Sequence, residues 1–288
     1  MIKIIQHSLF VFSVFLLLTN CKSDKKGANR FSDTEIIEKT PNYTLRLSKD
    51  SARYSRQEIS RQATEEADHL AESAAKISFS YPHIDSVLNR AVKDSINQFI
   101  QDMLLADEAG EIAYNSVENR LDDFIKQFRT AEEEMRKELV LVSKWQYEVT
   151  IDIITNSAKV LAIRYYEMSY MGGVHPNTLT LYLNFDMKTG QILHLEDILI
   201  ENYQKPLLQA GEKAFKKAMG IAPETPIHKT QYEFKNGNFF LPRNFAITRT
   251  GLFFCYNPYD IGPYALGTLE FEIPFGEILG ILRKEALE

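Results

Sequence analysis

The chain has 288 residues, of which 44% are hydrophobic and 25% charged, and its formal net charge is −6. That length fits two ordinary domains or one large one, and the composition excludes a disordered, collagen-like or mucin-like polypeptide. A mildly acidic chain lacks the basic field that holds nucleic acid, and its two cysteines are too few for a disulfide framework.

The first residues carry one positive charge, Lys3, followed by a largely apolar run from Ile4 to Leu18. The run falls short of the roughly 20 apolar residues that span a bilayer and has the layout of a signal peptide. It ends in Leu18-Thr19-Asn20-Cys21, which resembles the bacterial lipobox, where the leader is cut before a cysteine whose sulfur takes diacylglycerol. Asn20 departs from the small residue usual at that place. The expectation is therefore a leader over residues 1–20, a lipid on Cys21, and a cell-envelope location facing periplasm or exterior. Two acyl chains and an N-acyl group hold a membrane stably, whereas a single chain binds marginally. Removing the leader takes away Lys3 and moves the net charge from −6 to −7. Residues 21–40 are polar without apolar periodicity and read as a flexible tether. With Cys21 lipidated, Cys255 has no partner; inside Leu252-Phe253-Phe254-Cys255-Tyr256 it reads as a small buried hydrophobe.

Tyr43–Leu47 alternates like a strand. Ser55–Ala75 is rich in Glu, Ala, Arg and Gln, with Ile59, Ala63, Leu70 and Ala74 at helical spacing, so the pattern predicts a helix. Ile77–Tyr81 reads as a strand stopped by Pro82. Two amphipathic helices follow. In the first, Val87, Leu88, Ala91, Val92, Ile96, Phe99, Ile100 and Met103 form one face behind an Asp85 N-cap. In the second, Val117, Leu121, Phe124, Ile125, Phe128, Met135 and Leu139 do the same, with Glu132-Glu133-Glu134 on its solvated side.

After Ser143 the period changes from 3.6 to 2. Trp145 to Ile153, Lys159 to Tyr170, Leu179 to Phe185 and Gln191 to Leu195 form an antiparallel meander, turned at Asn156-Ser157, at Gly172-Gly173 and after Asp186. Asp186-Met187-Lys188-Thr189-Gly190 is a type I turn closed by glycine. A helix over Tyr203–Met219 stops at Gly220. Strands near Phe245–Thr248, Leu252–Tyr256 and Thr268–Ile273 precede a short helix from Phe275. The reading is an α+β fold: N-terminal helices plus an antiparallel sheet in a domain over 41–170, then a β-meander, helix and β-hairpin domain over 171–288.

No HExxH, GxSxG, P-loop, GxGxxG or paired-cysteine motif occurs, and no two histidines fall at metal-ligand spacing on one helix. No catalytic residue, metal or cofactor is assigned. Two segments stand out. In Ser169-Tyr170-Met171-Gly172-Gly173-Val174-His175-Pro176, the glycines could offer N–H groups to an oxyanion with His175 as base. The structural reading is favoured: Gly172 and Gly173 supply positive φ in a tight link and His175 braces it. The second segment, Tyr256 to Gly267, is a long connection with Tyr259, Tyr264, Pro258 and Pro263. Long connections inside a compact domain are often functional, and tyrosines offer large amphipathic area at low entropic cost.

Several short runs together resemble a known family. They are Ile77-Ser78-Phe79-Ser80-Tyr81-Pro82, Gly172-Gly173-Val174-His175-Pro176, Asn184-Phe185-Asp186 with Thr189-Gly190, and Leu195-Glu196-Asp197. Asn244-Phe245, Tyr259 through Gly267 and Ile273-Pro274 continue the series. In order and spacing they resemble the extracytoplasmic region of RsiV-type anti-sigma-V factors and the non-catalytic N-terminal region of PdaC-type peptidoglycan deacetylases, over roughly Tyr43 to Leu282. The resemblance implies a pair of α+β domains outside the cytoplasm that senses or targets the cell wall. In the anti-sigma members that region binds lysozyme. Neither a sigma-binding segment nor a deacetylase domain is expected here, so signalling and deacetylation do not carry over. The expected partners are the membrane through Cys21 and, at Pro258, Tyr259, Pro263 and Tyr264, a basic protein such as lysozyme or a cell-wall glycan. The alternatives are a glycan-acting hydrolase using His175 and a structural lipoprotein without a ligand.

Overall fold

The computed structural model describes residues 51–64, 74–106, 111–138, 144–283 and 285. The expected leader, Cys21, the tether and the Tyr43–Leu47 strand lie outside these residues, as do His69 and Leu70.

Where a helix was expected over Ser55–Ala75, the chain forms two strands, β1 (Arg53–Thr64) and β2 (Ala74–Ser86), paired antiparallel with Ile59 opposite Phe79. Ile59 and Ala63 are four residues apart, a spacing that one helical face and one strand face satisfy equally. Both side chains pack into the core beneath the sheet. Arg61, which shares their parity, reaches Asp122 of the second helix at 2.9 Å. Long-range pairing overrides local helix propensity here. β2 also runs through Pro82. The ladder to the next strand covers Ala75–Ser80 alone, so beyond Ser80 a proline without an N–H is accommodated.

Helices α1 (Arg90–Leu105) and α2 (Val117–Lys137) bury Val92, Ile96, Ile100, Leu104, Leu121, Phe124 and Phe128 against one face of the sheet. The α1 cap is Asn89, whose side-chain oxygen accepts from Ala91 N at 2.9 Å. Asp85 instead accepts from the Ser55 hydroxyl at 3.1 Å. Glu132 is not on a solvated face: it is 4% exposed and paired with Arg129 at 2.9 Å and Arg136 at 3.6 Å. The two helices supply the long crossover that a parallel strand pair requires, and β3 (Trp145–Asn156) joins β2 in parallel. The expected all-antiparallel sheet is therefore mixed. Strands β4 (Val160–Tyr170) and β5 (Asn177–Asp186) complete a five-stranded sheet ordered β1-β2-β3-β4-β5; the strand expected over Gln191–Leu195 does not form, and Ile192 makes only an isolated bridge to Phe185.

β4 is a shared wall. Leu161, Ile163 and Tyr165 face the helical core, while Val160 and Ala162 enter a second core. Burial on both faces explains its continuous apolar run. The expected division at 170/171 falls between β4 and β5, which are paired from Val160–Asp186 to Ser169–Asn177. The second core is built by α3 (Leu195–Ile198), α4 (Gln204–Ala218), α5 (Phe275–Ile278) and a three-stranded sheet. That sheet is β6 (Phe245–Ile247), β7 (Gly251–Tyr256) and β8 (Leu269–Pro274). At its centre the Phe215 ring meets Tyr232, Phe234, Phe239, Tyr256 and Phe271 at 5.1–5.8 Å, mostly edge to face.

Asparagine amides stitch the two sheets together. Asn184, 2% exposed, accepts from Ile247 N at 2.6 Å and donates to Phe245 O at 2.9 Å. Asn244 accepts from Tyr182 N and donates to Thr180 O, both at 2.7 Å. A primary amide offers the same donor and acceptor pair as a peptide unit, so each side chain replaces a missing strand neighbour. Cys255 lies fully buried in this seam with Tyr182 and Ala246. Burial, then the Glu270 charge, pushes its thiol well above the ordinary range, which makes it a poor nucleophile.

Candidate binding site

β7 delivers the chain to the surface at Asn257, a third stitching amide. It accepts from Thr180 N at 2.7 Å and donates to Thr180 O at 3.0 Å, fastening the start of the loop to β5. The loop then closes on itself. Asn257 N donates to Asp260 Oδ2 at 2.7 Å, and Asp260 N returns a bond to Asn257 O at 3.1 Å. This tight turn places Tyr259 in the left-handed region, φ +75°, and leaves its side chain 63% exposed. A non-glycine residue held at positive φ is uncommon and marks a backbone over-determined by its surroundings. Pro263 starts a short 3-10 turn over Tyr264–Leu266 that sets Tyr264 back toward the body of the protein.

The connection between β4 and β5 arrives at the same place. Gly172 and Gly173 have φ of +101° and +110°, so the tight link expected of them is present. Space does not demand glycine at 173, where a Cβ would meet nothing within 4 Å; the backbone angle does. The Tyr170 hydroxyl donates to Gly173 O at 3.1 Å. His175 then stacks on the Tyr264 ring, with centroids 3.6 Å apart and planes 9° from parallel. Its Nδ1 lies 2.9 Å from the Pro176 carbonyl and its Nε2 3.1 Å from the Tyr259 hydroxyl. A carbonyl can only accept, so Nδ1 carries a proton, and Nε2 shares a hydrogen bond with the Tyr259 hydroxyl.

The two segments singled out separately in the sequence thus form one surface. His175 braces both loops and ties Tyr259 and Tyr264 to it. In the same β4–β5 connection as His175, Val174 is wholly exposed and Met171 41% exposed. Exposed large apolar side chains on two loops that His175 joins are what an interaction surface offers. Pro258 and Pro263 occupy the two limbs of the loop and restrict its backbone. Behind Tyr264 lies Tyr166 of β4, whose hydroxyl is pushed up by burial and then by the Glu148 charge. Strands β1–β3 also form a groove of about 370 Å³, lined by Ser60, Ser78, Ser80, Thr150, the carboxylates of Glu58 and Glu148, and Lys76.

Sequence reasoning did not assign Asn257, Val174 or Met171 to the site. Val174 carries a readable signal, a β-branched apolar residue directly after two glycines. Asn257 has none, because its partner Thr180 lies 77 residues away. Cys21 lies outside the described residues. Among the described residues no group of three or more His, Cys, Asp or Glu side chains is placed to hold a metal ion, and no helix is long and apolar enough to cross a membrane.

Residues 69–178 match the family described as deacetylase PdaC, and residues 196–276 match the family of unknown function DUF3298. No curated protein matches the chain. Among solved structures, a DUF3298-family protein of Bacteroides fragilis is similar at a TM-score of 0.62 and 21% identity, covering 84% of this chain and 95% of its own. A DUF3298-family protein of Pseudomonas aeruginosa is similar at 0.56 and 15%, covering 82% and 97%. At these identities the structural likeness speaks for the fold. Taken with the family matches, it shows a PdaC-type region over residues 69–178 followed by a DUF3298 region over residues 196–276.

Proposed function

We propose that the chain is a lipid-anchored binding module of the cell envelope, tethered through Cys21, that docks a basic exported protein such as lysozyme on the surface made by Tyr259, Tyr264, Val174 and Met171. One observation carries the reading. The His175–Tyr264 stack and the His175–Tyr259 hydrogen bond hold two exposed loops in one fixed shape, with apolar side chains presented to solvent. Pre-organisation of this kind lowers the ordering cost of association. The net charge of −6 favours a basic partner and a salt-sensitive on-rate.

A cell-wall glycan is the second reading. It is favoured by the groove on the sheet face, whose lining includes the hydroxyls of Ser60, Ser78, Ser80 and Thr150. A hydrolase using His175 has less support, because both ring nitrogens are already engaged.

The test is calorimetric titration of the full chain in detergent with lysozyme and, separately, with soluble peptidoglycan fragments. Aromatic anchors at a docking surface cost about 2 kcal/mol or more when truncated, roughly thirtyfold in affinity. Tyr259→Ala and Tyr264→Ala should each weaken lysozyme binding by that order. Unchanged affinity alongside a large fall in melting temperature would show tyrosines that serve packing, and would end the docking reading. Peptidoglycan binding lost in the same variants, with no lysozyme binding by the parent, would establish the glycan reading instead.

A further inference from the structure

Beside the tyrosine loop, the segment before β6 forms a second feature. The backbone of Glu233 is fastened to the loop by a bond from its N–H to Ile261 O at 2.9 Å. From there the chain makes a tight 3-10 turn over Lys235–Gly237, with Asn236 at φ +57°, and returns through Phe239 and Phe240. A groove of about 610 Å³ opens between this segment and Asp260 of the loop.

Its floor is aromatic and fixed. Phe239 is buried, and Phe240 is 36% exposed. Phe234 and Tyr256 hold the Phe240 ring edge-on at 5.6 and 5.7 Å, and the Tyr256 hydroxyl donates to the Phe240 carbonyl. Its rim is polar and uncommitted. The Glu233 carboxylate makes no hydrogen bond or ion pair with any described residue, and neither do the Asn236 and Asn238 amides. Asp260 spends Oδ2 on the turn, and its other oxygen is not bonded to a described residue. Lys235 is the single cation lining the groove, against two carboxylates.

An anion would meet both carboxylates, and a purely apolar group would bury them unpaired. A cation fits both parts at once: an aromatic face attracts it through the ring quadrupole, and carboxylates bond it with charge assistance. A planar guanidinium uses the two better than an ammonium does, because it can stack and bond in the same plane. We propose that this groove is a subsite for an arginine side chain of the protein that docks on the tyrosine loop. The proposal rests on that docking reading for its partner, and Asp260, which lies one residue from Tyr259, joins the two surfaces.

The test uses the full chain and acetyl-arginine amide as the probe, with acetyl-glutamine amide as the neutral control. Binding is followed by the side-chain amide NMR signals of Asn236 and Asn238. The arginine probe should shift them saturably and the glutamine probe should not. Glu233→Gln should weaken the arginine probe fivefold or more, and Lys235→Glu should tighten it. Equal shifts with both probes, or none, overturn the subsite. So does a saturable shift produced by an N-acetylglucosamine oligomer and not by arginine. Lysozyme titrations of the same variants keep the two proposals apart. If Tyr259→Ala abolishes lysozyme binding while Glu233→Gln and Lys235→Glu leave it unchanged, docking stands and the subsite falls. If the arginine probe binds as expected but Tyr259→Ala and Tyr264→Ala leave lysozyme affinity untouched, the docking reading falls and the cation preference stands.

Discussion

Asn257 is where the fold and the site depend on a single side chain. Its amide supplies both halves of a strand-like pairing to Thr180, a residue only 5% exposed. In Asn257→Ala the Thr180 carbonyl keeps its second donor, Asn244 Nδ2 at 2.7 Å, so the orphan is the Thr180 N–H alone. A buried donor left unmade costs about 1–3 kcal/mol, and one kcal/mol lowers the melting temperature of a domain this size by about 2–4 °C. The expected fall is therefore about 2–12 °C. Asn257→Asp should cost more. One carboxylate oxygen can still accept from Thr180 N, but the other is turned onto the Thr180 carbonyl, which has nothing to donate. Both variants also free the base of the loop, so lysozyme affinity should fall by more than the fraction of unfolded protein explains. The checks are thermal melts by circular dichroism and titration well below the melting range. Two variants as stable as the parent would refute the stitching argument, and an aspartate milder than alanine would refute its geometry.

Three further outcomes are expected. Gly173→Val should destabilise by about 1–3 kcal/mol, because a β-branched residue is strongly disfavoured at φ +110° although the space around it is open; a melt equal to that of the parent would contradict this. The Tyr203 hydroxyl, pushed up to about 12 chiefly by burial, donates to Glu196 at 2.7 Å and holds that carboxyl below its ordinary value of 4.5. A lowered folded-state value stabilises the fold above pH 4.5, and the contribution is lost as pH falls through it. Tyr203→Phe should thus cost about 0.5 kcal/mol at neutral pH, small because Glu196 is exposed, and the gap from the parent should shrink in acid; a gap that persists at low pH would count against the bond. Cys21→Ser should abolish metabolic palmitate labelling and release the protein from the membrane fraction, and unchanged labelling would end the anchoring proposal.

Local patterns were enough for much of the fold. The alternation of Tyr147, Val149 and Ile151, the apolar stripes of α1 and α2, and the turn at Asp186–Gly190 depend on neighbours a few residues away, and those neighbours are in the sequence. The positive φ of Gly172 and Gly173 is legible for the same reason. The strand nature of Arg53–Thr64 is not, because Ile59 and Ala63 fit either period until β2 pairs with them. Likewise, nothing local marks the parallel joint between β2 and β3, or the division of β4 between two cores. The site shows the same split. Its tyrosines, prolines and glycines were readable as two unusual loops, yet His175 meets Tyr259 across 84 residues and Asn257 meets Thr180 across 77. Those contacts exist because the five- and three-stranded sheets are joined by asparagine amides, and a side chain that completes a distant strand's hydrogen bonds looks, in sequence, like any other asparagine.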